Sequence, residues 1–86
     1  MAYSIVYKKP IYRDLKKLSK AEATRVLDQI EADLLKSPES NPVLKGRFAG
    51  LRKFRVGDYR IIYAIIGEDI LILRIGHRRD VYESEI

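Results

Sequence analysis

Cationic side chains lie on both sides of Gly57-Asp58, a dipeptide typical of a two-residue β-hairpin loop. In the hairpin that this loop predicts, Arg55 lies directly opposite Arg60. Lys53 shares the face of Arg55, because side chains that are two residues apart on a strand point the same way. The sequence therefore predicts three cations in a tight group on one face of a sheet, and such a group suits the binding of phosphate.

The predicted pairing of Arg55 with Arg60 is electrostatically unfavourable. The repulsion is at most about 3 kcal/mol for full charges ~5 Å apart at an effective dielectric near 20, and less when the side chains extend into water. Threonine or glutamate at either position would remove it, so we interpret the pair as a site for an anion. The structural alternative is that both arginines simply extend over the sheet and cover its surface.

Proton transfer needs a different kind of side chain, because arginine stays protonated and suits phosphate binding better. His77 is the only histidine, and its imidazole can give or take a proton near neutral pH. It is a candidate acid or base, or else a hydrogen-bonded residue that orders the end of a strand. The chain has no cysteine, which excludes disulfides and thiol chemistry.

The net charge of +5 is concentrated in the C-terminal half. Residues 45–79 contain nine Lys or Arg and three Asp or Glu, a net +6, which leaves −1 for the rest of the chain. This distribution is typical of a protein with a polyanionic partner, first nucleic acid and second an acidic protein. A solvated basic face without a partner is the remaining interpretation.

The first half of the chain has one β pattern followed by two helical patterns. Alternation over residues 3–7 predicts a strand, and Pro10 suits the first turn of a short helix whose apolar residues lie at i, i+4 and i+7. Those residues are Ile11, Leu15 and Leu18. Ser19 and Glu22 form a capping-box pattern before a longer helix that should end at Ser37-Pro38. The two helices should form a hairpin.

The second half predicts a loop over residues 37–50 and an antiparallel meander of three strands, 51–56, 59–66 and 70–75. A two-residue loop between the last two strands would put Arg74 on the helix side of the sheet, whereas a three-residue loop over 67–69 would put it beside Arg60 and Ile62. Burying an unpaired arginine is costly, so we predict the longer loop.

The order of elements is therefore β-α-α-β-β-β in a single domain, residues 1–86, which is too short for two. The predicted fold class is α+β, with a helical hairpin packed on one face of a small, mainly antiparallel sheet. The other face is free for function.

Three segments of the chain resemble the RelE/ParE superfamily of toxins from type II toxin–antitoxin systems. They are RDLKKL at residues 13–18, RVGDYRIIY at 55–63 and GHRRDVYE at 76–83. The resemblance extends over essentially the whole chain and is closest to RelE-like members. It implies the RelE/ParE-like fold and a ribosome-dependent endoribonuclease that cleaves mRNA in the A site and inhibits translation, without a metal or other cofactor.

By this resemblance the ribose 2′-OH attacks the adjacent phosphate, a reaction that needs a base, an acid and cations. The implied catalytic residues are Lys53, Arg55, Arg60, Arg78 and Tyr82, with His77 as a further candidate. Lys53 and Tyr82 are alternatives for the base, and Arg78 would stabilise or protonate the leaving oxygen. The remaining cations of the basic segment are predicted to bind RNA: Lys45, Arg47, Arg52, Arg74 and Arg79. We expect Arg52 to contribute only general charge, at a frayed start of its strand.

The resemblance also implies a small, acidic antitoxin that wraps the toxin in a hetero-oligomer, with the ribosome and mRNA as further partners. Two alternatives stay open: a ParE-type inhibitor of DNA gyrase without nuclease activity, and a non-catalytic module that binds RNA or protein. No apolar stretch approaches the ~20 residues of a membrane span, and the N-terminus has no secretory signal pattern. We therefore expect a cytoplasmic protein without a membrane partner.

Overall fold

The computed structural model describes residues 3–44 and 50–77. These ranges form two helices packed on a four-stranded mixed sheet, in the predicted order β-α-α-β-β-β. The elements are β1 (Ser4–Tyr7), α1 (Lys9–Lys16), α2 (Lys20–Gln29), β2 (Arg52–Val56), β3 (Tyr59–Ile66) and β4 (Asp69–His77). A π-helical turn over Ile30–Leu34 continues α2, and a 3-10 turn covers Pro38–Ser40. The predicted α+β class is confirmed.

Local signals explain where both helices begin. Pro10 lies in the first turn of α1, where its missing N–H costs no hydrogen bond. The hydroxyl of Ser19 accepts a hydrogen bond from the backbone N–H of Glu22 at 3.2 Å, so the predicted cap of α2 is present. Three residues, 17–19, join the helices. In the part of the chain that is described, no helix is both long and apolar enough to cross a membrane.

The strand order is β1-β4-β3-β2. β1 runs parallel to β4, and the other two pairs are antiparallel. In the β2–β3 hairpin Arg55 pairs with Arg60 and Lys53 pairs with Ile62, which confirms the predicted register. Gly57 has φ +59°, a conformation that favours glycine, so the loop closes in two residues.

The loop between β3 and β4 is shorter than predicted. Ile66 pairs with Asp69, so the connection is the two residues Gly67 and Glu68, and the predicted three-residue loop is wrong. The positive φ of Gly67, +61°, again allows a tight turn. Taken alone, this loop would turn Arg74 toward the helices.

A β-bulge in β4 reverses that outcome. Ile62 pairs with Arg74, but the next residue of β3, Tyr63, pairs with Ile72, so Leu73 is an extra residue on β4. Arg74 therefore lies beside Ile62 as predicted, although a bulge and not a longer loop is the cause.

The core lies between the helices and one face of the sheet. Its fully buried members come from both layers: Ile11, Val26, Ile30, Leu34, Ile61, Tyr63, Ile70 and Ile72. The opposite face is less open than expected, because Ile62 is fully buried there although it shares that face with Lys53 and Arg74. Exposed positions of this face lie at both ends of the hairpin, at Arg55 near Gly57 and at Ile66 at the far end of β3.

Candidate anion-binding site

The candidate site is the outer face of the β2–β3 hairpin. It carries Lys53, Arg55 and Arg60, which we call the hairpin cations. Arg55 is exposed, and Lys53 and Arg60 are half-buried. Because Arg55 and Arg60 are direct cross-strand partners and Lys53 is two residues from Arg55, the fold brings these three predicted residues together on one face.

The backbone carbonyl of Gly57 offsets part of the repulsion between the two arginines. Its oxygen accepts from Arg55 Nε at 3.2 Å and from Arg60 Nη1 at 3.4 Å, and Arg60 Nη1 also donates to the carbonyl of Tyr59 at 3.3 Å. A carbonyl carries only a partial negative charge, so the pair stays strongly cationic. Within residues 3–44 and 50–77 neither guanidinium forms an ion pair, and both Nη atoms of Arg55 lack a hydrogen-bond acceptor. These donors can bind an anion.

Arg74 is held by Asp14 of α1. Its Nε and Nη2 each donate to one carboxylate oxygen at 2.9 Å, and Asp14 Oδ2 also accepts from the backbone N–H of Ile75 at 3.0 Å. Asp14 is 3% exposed. The hydrogen bonds that Arg74 donates to the Asp14 carboxylate raise the pKa of Arg74.

The chain path explains why a carboxylate is needed there. β1 pairs with β4 only as far as Tyr7 opposite Ile72, so the later part of β4 has no strand on that side. Asp14 supplies the acceptor that a neighbouring strand would have offered to Ile75. The charge of Arg74 is compensated inside the fold, and its predicted RNA contact stays a prediction.

His77 and Arg52 lie on the helix side of the sheet, away from the hairpin cations. His77 pairs with Tyr59, and their rings meet edge to face with centroids 6.0 Å apart. Arg52 Nη1 donates to the carbonyls of Glu39 at 3.0 Å and Asn41 at 2.7 Å. The expectation of a frayed strand start at Arg52 is therefore wrong, because this side chain ties β2 to the preceding loop.

The other predicted site residues lie outside the described ranges: Lys45, Arg47, Arg78, Arg79 and Tyr82. Their roles stay predictions. Sequence reasoning gave no role to Asp14, although a signal was present, since Asp14 lies three residues after Ile11 and so falls among the apolar positions of α1.

Sequence reasoning also gave no role to Arg25 of α2. A Cβ placed on Gly57 would lie 3.5 Å from both Nη atoms of Arg25, so this exposed guanidinium lies against the hairpin turn. No local pattern could have indicated this, because the contact joins α2 to the β2–β3 turn across 32 residues of sequence.

Two tyrosines near the helices differ in how their hydroxyls are satisfied. The hydroxyl of Tyr63 donates to the carbonyl of Pro38 and accepts from Asn41 Nδ2 at 3.0 Å. The buried hydroxyl of Tyr7 has no hydrogen-bond partner among the residues that the structure describes. Burial raises the pKa of both phenols.

A small α+β domain with helices on one face of its sheet and a cationic hairpin on the other matches known proteins. The family model for the ParE toxin of type II toxin–antitoxin systems, parDE, matches residues 5–82. A chain of the toxin–antitoxin complex RelBE2 from Mycobacterium tuberculosis is 30% identical, with a TM-score of 0.83 over 91% of this chain and 100% of that one. A chain of the archaeal RelE–RelB complex from Pyrococcus horikoshii OT3 is 31% identical, with a TM-score of 0.63 over 91% and 97%.

The chromosomal ParDE system from P. aeruginosa shares the fold at 16% identity, with a TM-score of 0.69 over 87% of this chain and 95% of that one. A comparison with curated protein sequences gives no significant match. The fold and the family match define the toxin of a type II toxin–antitoxin system. The chain belongs to the RelE/ParE superfamily.

Proposed function

We propose that this toxin is a ribosome-dependent endoribonuclease that cleaves mRNA in the A site and so stops translation. The observation that carries the proposal is the group of hairpin cations, whose two arginines share one carbonyl oxygen and have no ion pair within the described ranges. Guanidinium groups fit the nonbridging oxygens of phosphate in a bidentate way, and they would stabilise the charge that develops there.

The remaining chemistry is assigned by resemblance. Lys53 or Tyr82 would take the proton from the 2′-OH, and Arg78 would stabilise or protonate the leaving 5′ oxygen. The pairing of Gly76 with Arg60 supports this assignment, because Arg78 follows Gly76 by only two residues. His77 pairs with Tyr59 on the other face, so it is the weakest of the proton-transfer candidates.

Single-turnover cleavage of ribosome-bound mRNA tests the proposal. At saturating toxin, Arg60→Ala should lower the rate about 10²- to 10³-fold, the usual effect of losing one contact that stabilises charge in the transition state. Arg13→Ala is the matched control, because it removes an exposed arginine from α1. If the wild-type toxin leaves the mRNA intact, the proposal is wrong.

Inhibition of DNA gyrase is the second candidate, because the matching family model describes ParE toxins. Under this alternative the hairpin cations would bind an acidic surface of gyrase, and no RNA would be cut. A supercoiling assay with purified gyrase separates the candidates. Inhibition by the wild type together with intact mRNA would favour gyrase, and cleavage without inhibition would favour the ribosome.

We also propose that an acidic antitoxin neutralises the toxin in a hetero-oligomer. The net +6 over residues 45–79 favours an acidic chain that folds as it binds, and the RelBE2 and RelE–RelB relatives are toxin–antitoxin complexes. Co-expression with the product of a neighbouring acidic gene should relieve growth arrest and give a stable complex. Harmless expression of the toxin alone would contradict this.

A further inference from the structure

Three guanidinium groups gather around one glycine at the tip of the hairpin. Arg55 and Arg60 donate to the carbonyl oxygen of Gly57. Arg25 reaches the same residue from α2, with both Nη atoms 3.5 Å from the position that a Cβ of Gly57 would occupy. One charge comes from a helix and two come from strands, so the group is formed by the tertiary fold.

No carboxylate compensates these charges in the part of the chain that is described. The ion pair found there joins Arg74 to Asp14, and the acid next to the glycine, Asp58, forms none. All three guanidinium groups contact the backbone or the Cβ position of a single residue. They therefore lie within about 10 Å of one another by ordinary bond and contact lengths. Such crowding is unfavourable until an anion with several charges binds.

Arg25 reaches the turn from a different side than Arg55 and Arg60. Arg55 and Arg60 meet at the carbonyl oxygen of Gly57, whereas Arg25 lies on the side of the missing Cβ. One phosphate held by Arg55 and Arg60 would leave Arg25 to a neighbouring phosphate of the same strand. A single RNA strand, with a negative charge on every nucleotide, suits this arrangement because it can follow the protein surface around the Gly57 turn.

We infer that Arg25 is a further RNA-binding residue, which contacts an mRNA phosphate next to the one held by Arg55 and Arg60. The inference rests on the proposed endoribonuclease function and extends its site from the sheet to α2. Arg25 acts in binding and takes no part in the chemical step. It provides a contact that fixes the position of the mRNA along the β2–β3 hairpin.

The test compares Arg25→Ala with Arg13→Ala, since both remove one exposed arginine from a helix. The measurement is single-turnover cleavage of mRNA on programmed ribosomes over a range of toxin and salt concentrations. Arg25→Ala should raise the half-saturating toxin concentration about tenfold and reduce the slope of log affinity against log salt by about 0.7. The rate at saturation should stay within about twofold of the wild type, because the chemical step is untouched.

A second measurement identifies the contacted group. Single methylphosphonate substitutions are placed at successive mRNA positions, so that each removes one phosphate charge. At the position next to the cleavage site, the substitution should weaken wild-type binding to the level of Arg25→Ala and have no further effect on that variant. Arg25→Lys should recover part of the affinity, because it restores the charge without the bidentate fork.

The inference is overturned if Arg25→Ala and Arg13→Ala have the same half-saturating toxin concentration. A loss that no mRNA phosphate substitution reproduces also overturns it, and assigns Arg25 to ribosomal RNA. If Arg25→Ala binds the antitoxin more weakly but keeps the wild-type half-saturating toxin concentration, the inference is also overturned, and Arg25 belongs to the toxin–antitoxin interface. Absence of cleavage by the wild type refutes the proposed function instead, so the two failures are distinct. Equal melting temperatures of both variants and the wild type exclude misfolding.

Discussion

The ion pair between Asp14 and Arg74 should be the most sensitive polar interaction of the described fold. The carboxylate of Asp14 accepts three hydrogen bonds, two from Arg74 at 2.9 Å and one from the backbone of Ile75 at 3.0 Å. Asp14→Ala removes the carboxylate from an Arg74 side chain that is only 17% exposed, and it also takes this acceptor from the backbone N–H of Ile75. We expect a loss of about 3–5 kcal/mol in the free energy of unfolding.

That loss is a large fraction of the total, because a domain of 86 residues has about 4–13 kcal/mol of stability. Asp14→Asn should cost less, about 1–3 kcal/mol, since the amide oxygen can still accept from Ile75. Arg74→Met should cost about as much as Asp14→Ala, because it leaves the carboxylate buried. The double variant Asp14→Ala with Arg74→Met should lose much less than the sum of the single losses, because no charge is left unpaired.

Urea unfolding followed by circular dichroism measures these differences. All variants should be made in an Arg60→Ala background, which keeps expression harmless if the proposed activity is correct. A coupling energy of at least about 2 kcal/mol between the two positions is expected. Additive losses in the double variant, or an Asp14→Ala protein as stable as its parent, would refute the reasoning.

Four further outcomes follow from contacts described above. Tyr7→Phe should leave the free energy of unfolding unchanged or raise it by up to about 1 kcal/mol, because the Tyr7 hydroxyl has no hydrogen-bond partner within residues 3–44 and 50–77. Tyr63→Phe should lower it by about 1–2 kcal/mol, because the Tyr63 hydroxyl is hydrogen-bonded. Stability should fall as the pH rises above about 10, because burial raises the pKa of both phenols. Above that pH the phenols of the unfolded chain lose protons that the folded chain keeps, so unfolding is favoured. A urea midpoint that stays constant from pH 9 to 11 would contradict this. Gly57→Ala and Gly67→Ala should each lower the free energy of unfolding by about 1–2 kcal/mol, since both glycines have positive φ. Of the two, only Gly57→Ala should slow RNA cleavage, because Arg55 and Arg60 contact Gly57. Arg52→Ala should lower the melting temperature while the cleavage rate at saturation stays near the wild type, and a selective loss of rate would disprove the anchoring role of Arg52.

Much of the fold could be predicted because its signals are local. The Ser19 cap, the alternation of apolar residues in the strands and the Gly57-Asp58 loop each depend on a few neighbouring residues, and each is present in the structure. The hairpin register then predicted the grouping of Lys53, Arg55 and Arg60 directly, since pairing follows from loop length.

The rest depended on contacts between distant parts of the chain. The cost of burying Arg74 was judged correctly, but the fold avoids it by the bulge at Leu73 and by the distant partner Asp14. The bulge has no local signature, and the position of Asp14 among the apolar residues of α1 indicates its burial but not its partner. Arg52 was misjudged for the same reason, because its acceptors belong to a loop that precedes β2 by more than ten residues. Arg25 lies against the hairpin turn through a tertiary contact of its long side chain, which no local pattern indicates.

The bulge at Leu73 also determines where this sheet can change in length. Ile72 and Ile75 both face the core although they are three residues apart, because Leu73 is the extra residue between two regular stretches of pairing. Deleting Leu73 would therefore make the ladder regular and leave Arg74 opposite Ile62, with no later side chain of β4 turned to the other face. A one-residue deletion at this position should be far better tolerated than one within the regular stretch Arg52–Val56, where it would turn the residues on one side of the deletion to the opposite face.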